Sequence, residues 1–298
     1  MVQRKREVTQ ADGARRAAGT LQTQAASAEV VRDINKRLLL GLIRRRQPIS
    51  RADLARLSGL QRSTVSLIVE QLLEDHWVVE GSTGRLARGR RPTFLRLNEQ
   101  RAAIGVDIRP SRITAALADV HGRFLSQEMF ATPAEPGAAV EELGRRLQRL
   151  LSTHPDMIFE GVAISLPGRC EPGSGRLVFA PNLKWVPWDL RTPIERATGL
   201  QVWLENAANA CALAEAWYGD HQGVRDLVVV TVSEGIGAGL LLNGELIRGH
   251  NQMAGEFGHV CLDPEGPLCG CGRRGCWEVF ASNRAAQRNY SESGWEEG

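Results

Sequence analysis

The sequence predicts an α/β protein in two parts: a small basic module, then a larger mixed domain. Three observations lead there. Residues 1–101 hold 20 Lys and Arg against 10 Asp and Glu, a net of +10, while 102–298 hold 17 against 24, a net of −7; the overall +3 conceals the split. Helical periodicity early in the chain is broken at Pro48 and Gly59, the pattern of short consecutive helices. Beyond Leu97, three strand-like runs precede alternating helix and strand patterns, the order of an α/β domain. With 43% hydrophobic and 24% charged residues, the composition excludes collagen, coiled coil and disordered polymer. Apolar runs such as Leu227–Val232 are too short to span a bilayer. No apolar stretch follows Arg4, Lys5 and Arg6, so no secretory signal is expected and the chain is placed in the cytoplasm.

The elements follow in order. Residues 1–27, rich in Ala, Gln, Thr and Arg, read as a flexible basic arm, because they can bury too little apolar surface to offset chain entropy. A module over 28–98 comes next. Its first helix starts near Val30, carries Leu38, Leu39, Leu40 and Ile43 as an apolar stripe, and stops at Pro48. Ser50 is the expected N-cap of a second helix, with Asp53 in capping-box position and Gly59 as the break. A third helix covers 61–75, with Val65, Ile68, Leu72 and Leu73 inward. Residues 77–80 and 93–97 look like two strands around a Gly- and Arg-rich loop.

Two short helices joined through Leu57-Ser58-Gly59-Leu60 make a helix-turn-helix, and the strand pair with its basic loop makes a wing. Leu54, Ala55, Leu57, Leu60, Val65 and Ile68 are expected as its core. Gln61, Arg62, Ser63 and Ser66 then face outward where a recognition helix meets base edges. Arg88, Arg90 and Arg91 of the wing suit phosphates or a narrow minor groove. The competing reading is a protein-binding helical module with an incidental basic loop.

The second domain is expected over 102–298. Strands are predicted at 103–108, 113–119 and 124–130, with His121-Gly122 as a turn. A helix at 138–152, a strand at 161–166, a Gly/Pro-rich hairpin and a helix near 189–198 follow. Next come a strand at 202–205, a helix at 206–218, and a further sheet opened by 227–232 and 239–247. Of the six cysteines, Cys269, Cys271 and Cys276 lie within eight residues of Gly-rich chain, so their thiolates can surround one tetrahedral metal. His259 is the nearest fourth ligand, with Cys261 the alternative. A Cys3His set is closed, which points to structural Zn2+; a disulfide plus a free thiol is the other possibility. Cys170 and Cys211 read as small buried hydrophobes.

Several motifs together resemble the ROK family of sugar kinases and sugar-responsive repressors. They are Val232-Ser233-Glu234-Gly235-Ile236-Gly237-Ala238-Gly239-Leu240, Gly255-Glu256-Phe257-Gly258-His259, the cysteine loop ending Cys276-Trp277-Glu278, Asn206-Ala207-Ala208-Asn209 and Ala180-Pro181-Asn182-Leu183. The resemblance implies an actin-like, ribonuclease-H-like fold and sugar contacts from Asn182, Asn206, Glu256, His259 and Glu278. On their own residues Glu256 reads equally as a loop carboxylate and Asn206 as a helix N-cap. Family kinases carry an Asp-x-Gly-Gly-Thr phosphate turn, matched here by Asp107-Ile108-Arg109-Pro110-Ser111, with both glycines gone and an amide lost at proline. Their general-base Asp corresponds to Ala207, which has no titratable group. The Gly235 to Gly239 run therefore reads as a tight hairpin turn. The repressor branch carries the preceding winged module. The expectation is a sugar-responsive repressor of carbohydrate genes and not an enzyme. It would bind a palindromic double-stranded operator as a homodimer or higher homo-oligomer, with a sugar or sugar phosphate as effector and no membrane partner. The alternatives are a sugar kinase, or a regulator that binds DNA without sensing sugar. The second follows because the domain looks incomplete: the helix begun at Trp277 runs on through Arg288, and the last residues lack core spacing.

Overall fold

The computed structural model describes residues 28–83, 93–171, 173–220 and 224–292, in two compact units that divide after Leu97. The basic arm, the wing loop with Arg88, Arg90 and Arg91, and the last six residues lie outside the described residues.

In the first unit, α1 (Ala28–Arg46) leads into β1 (Ile49–Ser50), α2 (Arg51–Ser58), α3 (Arg62–Glu74), β2 (Val78–Thr83) and β3 (Thr93–Leu97). Ser50 caps α2 by accepting from the Asp53 amide at 3.2 Å and donating its hydroxyl to the Asp53 carboxylate at 2.7 Å. Gly59 closes the helix at φ 71°, a left-handed conformation that glycine adopts without Cβ strain. Leu39, Ile43, Leu54, Ile68, Leu72 and Leu95 are fully buried between the helices and the sheet. That sheet has the order β1-β3-β2 and includes the two-residue β1, which no sequence pattern announced. Leu57, in the last turn of α2, departs from expectation: it is 45% exposed.

The second unit opens with the meander β4 (Arg101–Ile108), β5 (Arg112–Asp119) and β6 (Phe124–Ala131). Next come α4 (Pro136–Ser152), β7 (Ile158–Leu166), β8 (Arg169–Cys170), β9 (Arg176–Phe179), β10 (Trp188–Asp189), α5 (Arg191–Thr198), β11 (Val202–Asn206) and α6 (Ala207–Tyr218). A five-stranded sheet has the order β11-β7-β4-β5-β6, with β7 parallel to both β4 and β11. Ile104, Ile113, Leu117 and Ile164 join Leu143, Leu147 and Leu150 of α4 in one buried cluster. A second sheet, β12 (Leu227–Val232), β13 (Ile236–Leu242) and β14 (Glu245–Leu246), packs on α6.

Two further expectations need correction. The Gly235 to Gly239 run is not all turn: β13 begins at Ile236, and Gly237 and Gly239 lie within it. They sit there because a Cβ at Gly239 would come within 2.4 Å of the Ala208 carbonyl on α6. The helix from Trp277 is two, α7 (Glu278–Ala281) and α8 (Asn283–Glu292). Ser282 is extended between them, and its hydroxyl accepts from the Ala285 amide at 3.2 Å.

The β5–β6 turn is held by Asp119, which accepts from the amides of His121 and Arg123 and from the Arg123 guanidinium. Burial, the largest single influence, pushes its pKa up, but these hydrogen bonds outweigh it and leave the carboxyl below its ordinary value. A carboxyl depressed in the folded state stabilises fully above its unfolded value, and that contribution is lost as pH falls through the folded value. Asp119→Asn should therefore flatten the acid limb of stability below about pH 4. Urea midpoints across the acid range check this; identical limbs in both proteins would contradict it.

Candidate ligand cleft and metal centre

The second unit contains a cavity of about 860 Å3, a size suited to a small ligand. All five residues expected to face sugar, Asn182, Asn206, Glu256, His259 and Glu278, line it. Asn206 caps α6: its side-chain oxygen accepts from the Ala208 amide at 2.8 Å, and its nitrogen donates to the Gly168 carbonyl at 3.1 Å. The helix-cap role and a place at the cavity wall are thus both met by one residue. Glu278, at the start of α7, is buried and accepts from the Ile236 amide at 3.0 Å. Gly235 leaves room for it, since a Cβ there would lie 2.4 Å from the Glu278 carboxylate and 2.8 Å from the Asn182 amide nitrogen.

Beside Glu278 stands the cysteine loop. Ligand atoms of His259, Cys269, Cys271 and Cys276 all lie within 4.8 Å of one another, which fits a tetrahedral N/S set. His259 Nδ1 is 3.6 Å from Cys269 Sγ, and Cys271 Sγ is 3.7 Å from Cys276 Sγ. The opposite ring nitrogen of His259, Nε2, lies 3.7 Å from the Glu256 carboxylate. One ring therefore faces the thiols on one side and the cavity on the other. Burial, opposed by the imidazole, raises the Glu256 pKa, and the nearby Glu278 charge raises it further. Cys261 is exposed and stands outside the cluster. Cys170 is half-buried against the core, but Cys211 is exposed at the cavity wall on α6, contrary to the buried role expected of it.

The turn at the end of β4 lines the same cavity. Arg109 donates its amide to the Arg112 carbonyl at 2.9 Å, which closes the hairpin. Its guanidinium binds Asp107 at 2.6 Å, a bond that raises the Arg109 pKa. Ser165 donates to the other Asp107 oxygen at 2.9 Å. Ala207 opens α6 at the cavity wall and carries only a methyl group.

Sequence reasoning missed Glu205 and Arg248. Glu205 accepts from the Asn206 amide at 3.0 Å and the Asn209 side chain at 2.9 Å, and Arg248 binds its other oxygen at 2.6 Å. This carboxylate fixes the β11–α6 corner. The local spacing of Glu205 and Asn209 hinted at it, whereas Arg248, 43 residues away, left no signal.

In the first unit, Gln61, Arg62 and Ser63 are exposed at the start of α3, and Ser66 is half-buried one turn on. Gln61 occupies the N-cap without a side-chain capping bond.

A model of the ROK family matches residues 103–297. The chain belongs to the ROK family. A model of winged helix-turn-helix DNA-binding domains matches residues 32–79. The chain is 34% identical over 264 residues to the xylose repressor of Bacillus subtilis (strain 168), covering 87% of this chain and 68% of that protein. It is 37% identical over 185 residues to the glucokinase of Streptomyces coelicolor, covering 62% of this chain and 57% of the enzyme. A solved ROK family transcriptional regulator, described as a homologue of the E. coli MLC protein, superposes with a TM-score of 0.76 at 28% identity. That match covers 89% of this chain and 69% of the other. The repressor and regulator matches include the amino-terminal unit; the glucokinase match has the length of the ROK region alone.

Gly235→Ala should push the Glu278 carboxylate off the Ile236 amide and cost about 1–3 kcal/mol of stability. Denaturant unfolding of the two proteins tests this, and an unchanged midpoint would show that the turn yields freely.

Proposed function

We propose that this ROK protein is a sugar-responsive, DNA-binding transcriptional repressor without kinase activity. The observation that carries the reading is the pairing, in one chain, of a winged helix-turn-helix with a sugar-type cleft whose catalytic positions are filled otherwise. Asn182, Asn206, Glu256, His259 and Glu278 would hydrogen-bond sugar hydroxyls, since amides and carboxylates each engage two neighbouring hydroxyls. Phosphoryl transfer needs a base and a phosphate cradle. Ala207 cannot take a proton, the Arg109 amide is bonded to the Arg112 carbonyl, and the Asp107 carboxylate is bonded to the Arg109 guanidinium. The resemblance to a glucokinase is then one of scaffold, with chemistry set by the site.

Gln61, Arg62, Ser63 and Ser66 would read base edges, with Arg88, Arg90 and Arg91 on phosphates or the minor groove. The chain would act as a homodimer on a two-fold operator in the cytoplasm, since operator symmetry mirrors protein symmetry. His259, Cys269, Cys271 and Cys276 would hold structural Zn2+, which locks the loop that carries Glu278. No helix among the described residues is long and apolar enough to cross a membrane. Sugar would alter operator affinity only if it binds the DNA-competent and incompetent arrangements unequally.

A thermal-shift screen of pentoses, hexoses and their phosphates, followed by operator binding with each hit, tests the whole reading. A sugar that stabilises the protein and changes operator affinity is the expected result. Turnover of ATP with any of those sugars would instead establish a kinase. Arg62→Ala should relax preference at one operator position by about 1–3 kcal/mol per site, measured by binding to a set of single-base operator variants; an unaltered profile removes Arg62 from base readout. Metal analysis should return about one zinc per chain, lost in Cys271→Ser; folded, metal-free protein would refute the assignment.

A further inference from the structure

Cys261 has no part in the metal cluster, yet the backbone sets it directly opposite one of the ligands. Cys261 and Cys276 are Cα partners in an isolated antiparallel bridge. The flanking hydrogen bonds run from the Leu262 amide to the Gly275 carbonyl at 2.7 Å and from the Trp277 amide to the Val260 carbonyl at 2.9 Å. Bonds outside the pair and none within it define a non-hydrogen-bonded pair. In that register the two Cα atoms lie about 4.5 Å apart with side chains on the same face. That separation falls inside the range a disulfide spans, about 4.4–6.8 Å between Cα atoms. The Cys261 thiol now donates to the Arg274 carbonyl at 3.4 Å, and rotation about its Cα–Cβ bond would turn it toward Cys276. Cys261 is exposed and Cys276 is fully buried, so an oxidant reaches the first and not the second.

We propose that Cys261 and Cys276 form a redox pair through which hydroperoxides unfasten the metal loop. In the first step the Cys261 thiolate attacks the terminal oxygen of a hydroperoxide. An S–O bond forms and the O–O bond breaks. The alkoxide or hydroxide that leaves takes a proton, and Cys261 becomes a sulfenic acid. The Cys276 sulfur then attacks the sulfenic sulfur. An S–S bond forms, the S–O bond breaks, and the departing hydroxide takes a proton to become water. Two electrons pass from the two cysteines to the hydroperoxide. Cys276 is then lost as a ligand, and with it the anchor that sets Glu278 two residues further on. The consequence for metal rests on the zinc reading above; the disulfide itself does not.

The test uses the full-length, zinc-loaded chain exposed to hydrogen peroxide. Zinc release is followed with a chromogenic chelator, and disulfides are mapped by mass spectrometry of non-reduced peptides. Zinc release should coincide with a peptide joining Cys261 to Cys276 and be reversed by dithiothreitol. Cys261→Ser and Cys261→Ala, whose exposed position tolerates exchange, should each release zinc about tenfold more slowly. A linkage confined to Cys269, Cys271 and Cys276, or equal release rates in both variants, would overturn the proposal. Should the reduced chain hold no zinc, the metal reading fails by that measurement, and the mapped linkage alone decides the redox pair.

Discussion

The His259 imidazole, with Nδ1 3.6 Å from a cysteine sulfur and Nε2 3.7 Å from the Glu256 carboxylate, joins the two halves of the site. Whatever holds Nδ1 also sets the direction in which Nε2 faces, because the two nitrogens share one rigid ring. On the same loop, Cys269 and Cys276 precede Glu278, whose carboxylate accepts the Ile236 amide at the head of β13. The cysteine loop, the β12–β13 turn and the cavity wall thus form one mechanically connected piece. A short, Gly-rich segment has no core of its own, and cross-links of this kind stand in for one.

The larger unit shows how one scaffold can serve two ends. Its antiparallel meander, parallel crossover strands and flanking helices bring the same two loops to a cleft whether or not chemistry follows. The proposed absence of kinase chemistry rests on two local features: a methyl group at Ala207, and an Arg109-Asp107 pair at the turn after β4. Both sit at element ends, where side chains carry little of the core.

How much of this could be read from sequence depended on how local the cause was. The ends of α2 were legible because Ser50, Asp53 and Gly59 carry their own capping chemistry. The cluster that could hold a metal was legible because its three cysteines lie within eight residues and its histidine ten residues upstream of the first. What escaped was set by distant neighbours. The glycines of β13 are small because α6 passes over them, which spacing within the run could not reveal. The break at Ser282 follows from an N-cap inside a sequence of good helical period, and the Asn283 amide is drawn to the Ser233 carbonyl at 2.8 Å. Leu57 and Cys211 are exposed although Leu54 and Ala212 of the same helices are buried, a distinction that local spacing did not carry. The anchoring of Glu205 by Arg248 belongs to the tertiary structure alone.

The central claim is that a metal held by the cysteine loop would position the residues proposed to recognise sugar. Calorimetric titration of one hit sugar into the metal-loaded chain and into the same chain stripped by a chelator tests it most directly. With both samples folded by circular dichroism, the account predicts that stripping weakens binding by about tenfold or more, as second-shell losses at metal sites do. Equal affinities in the two samples would contradict it.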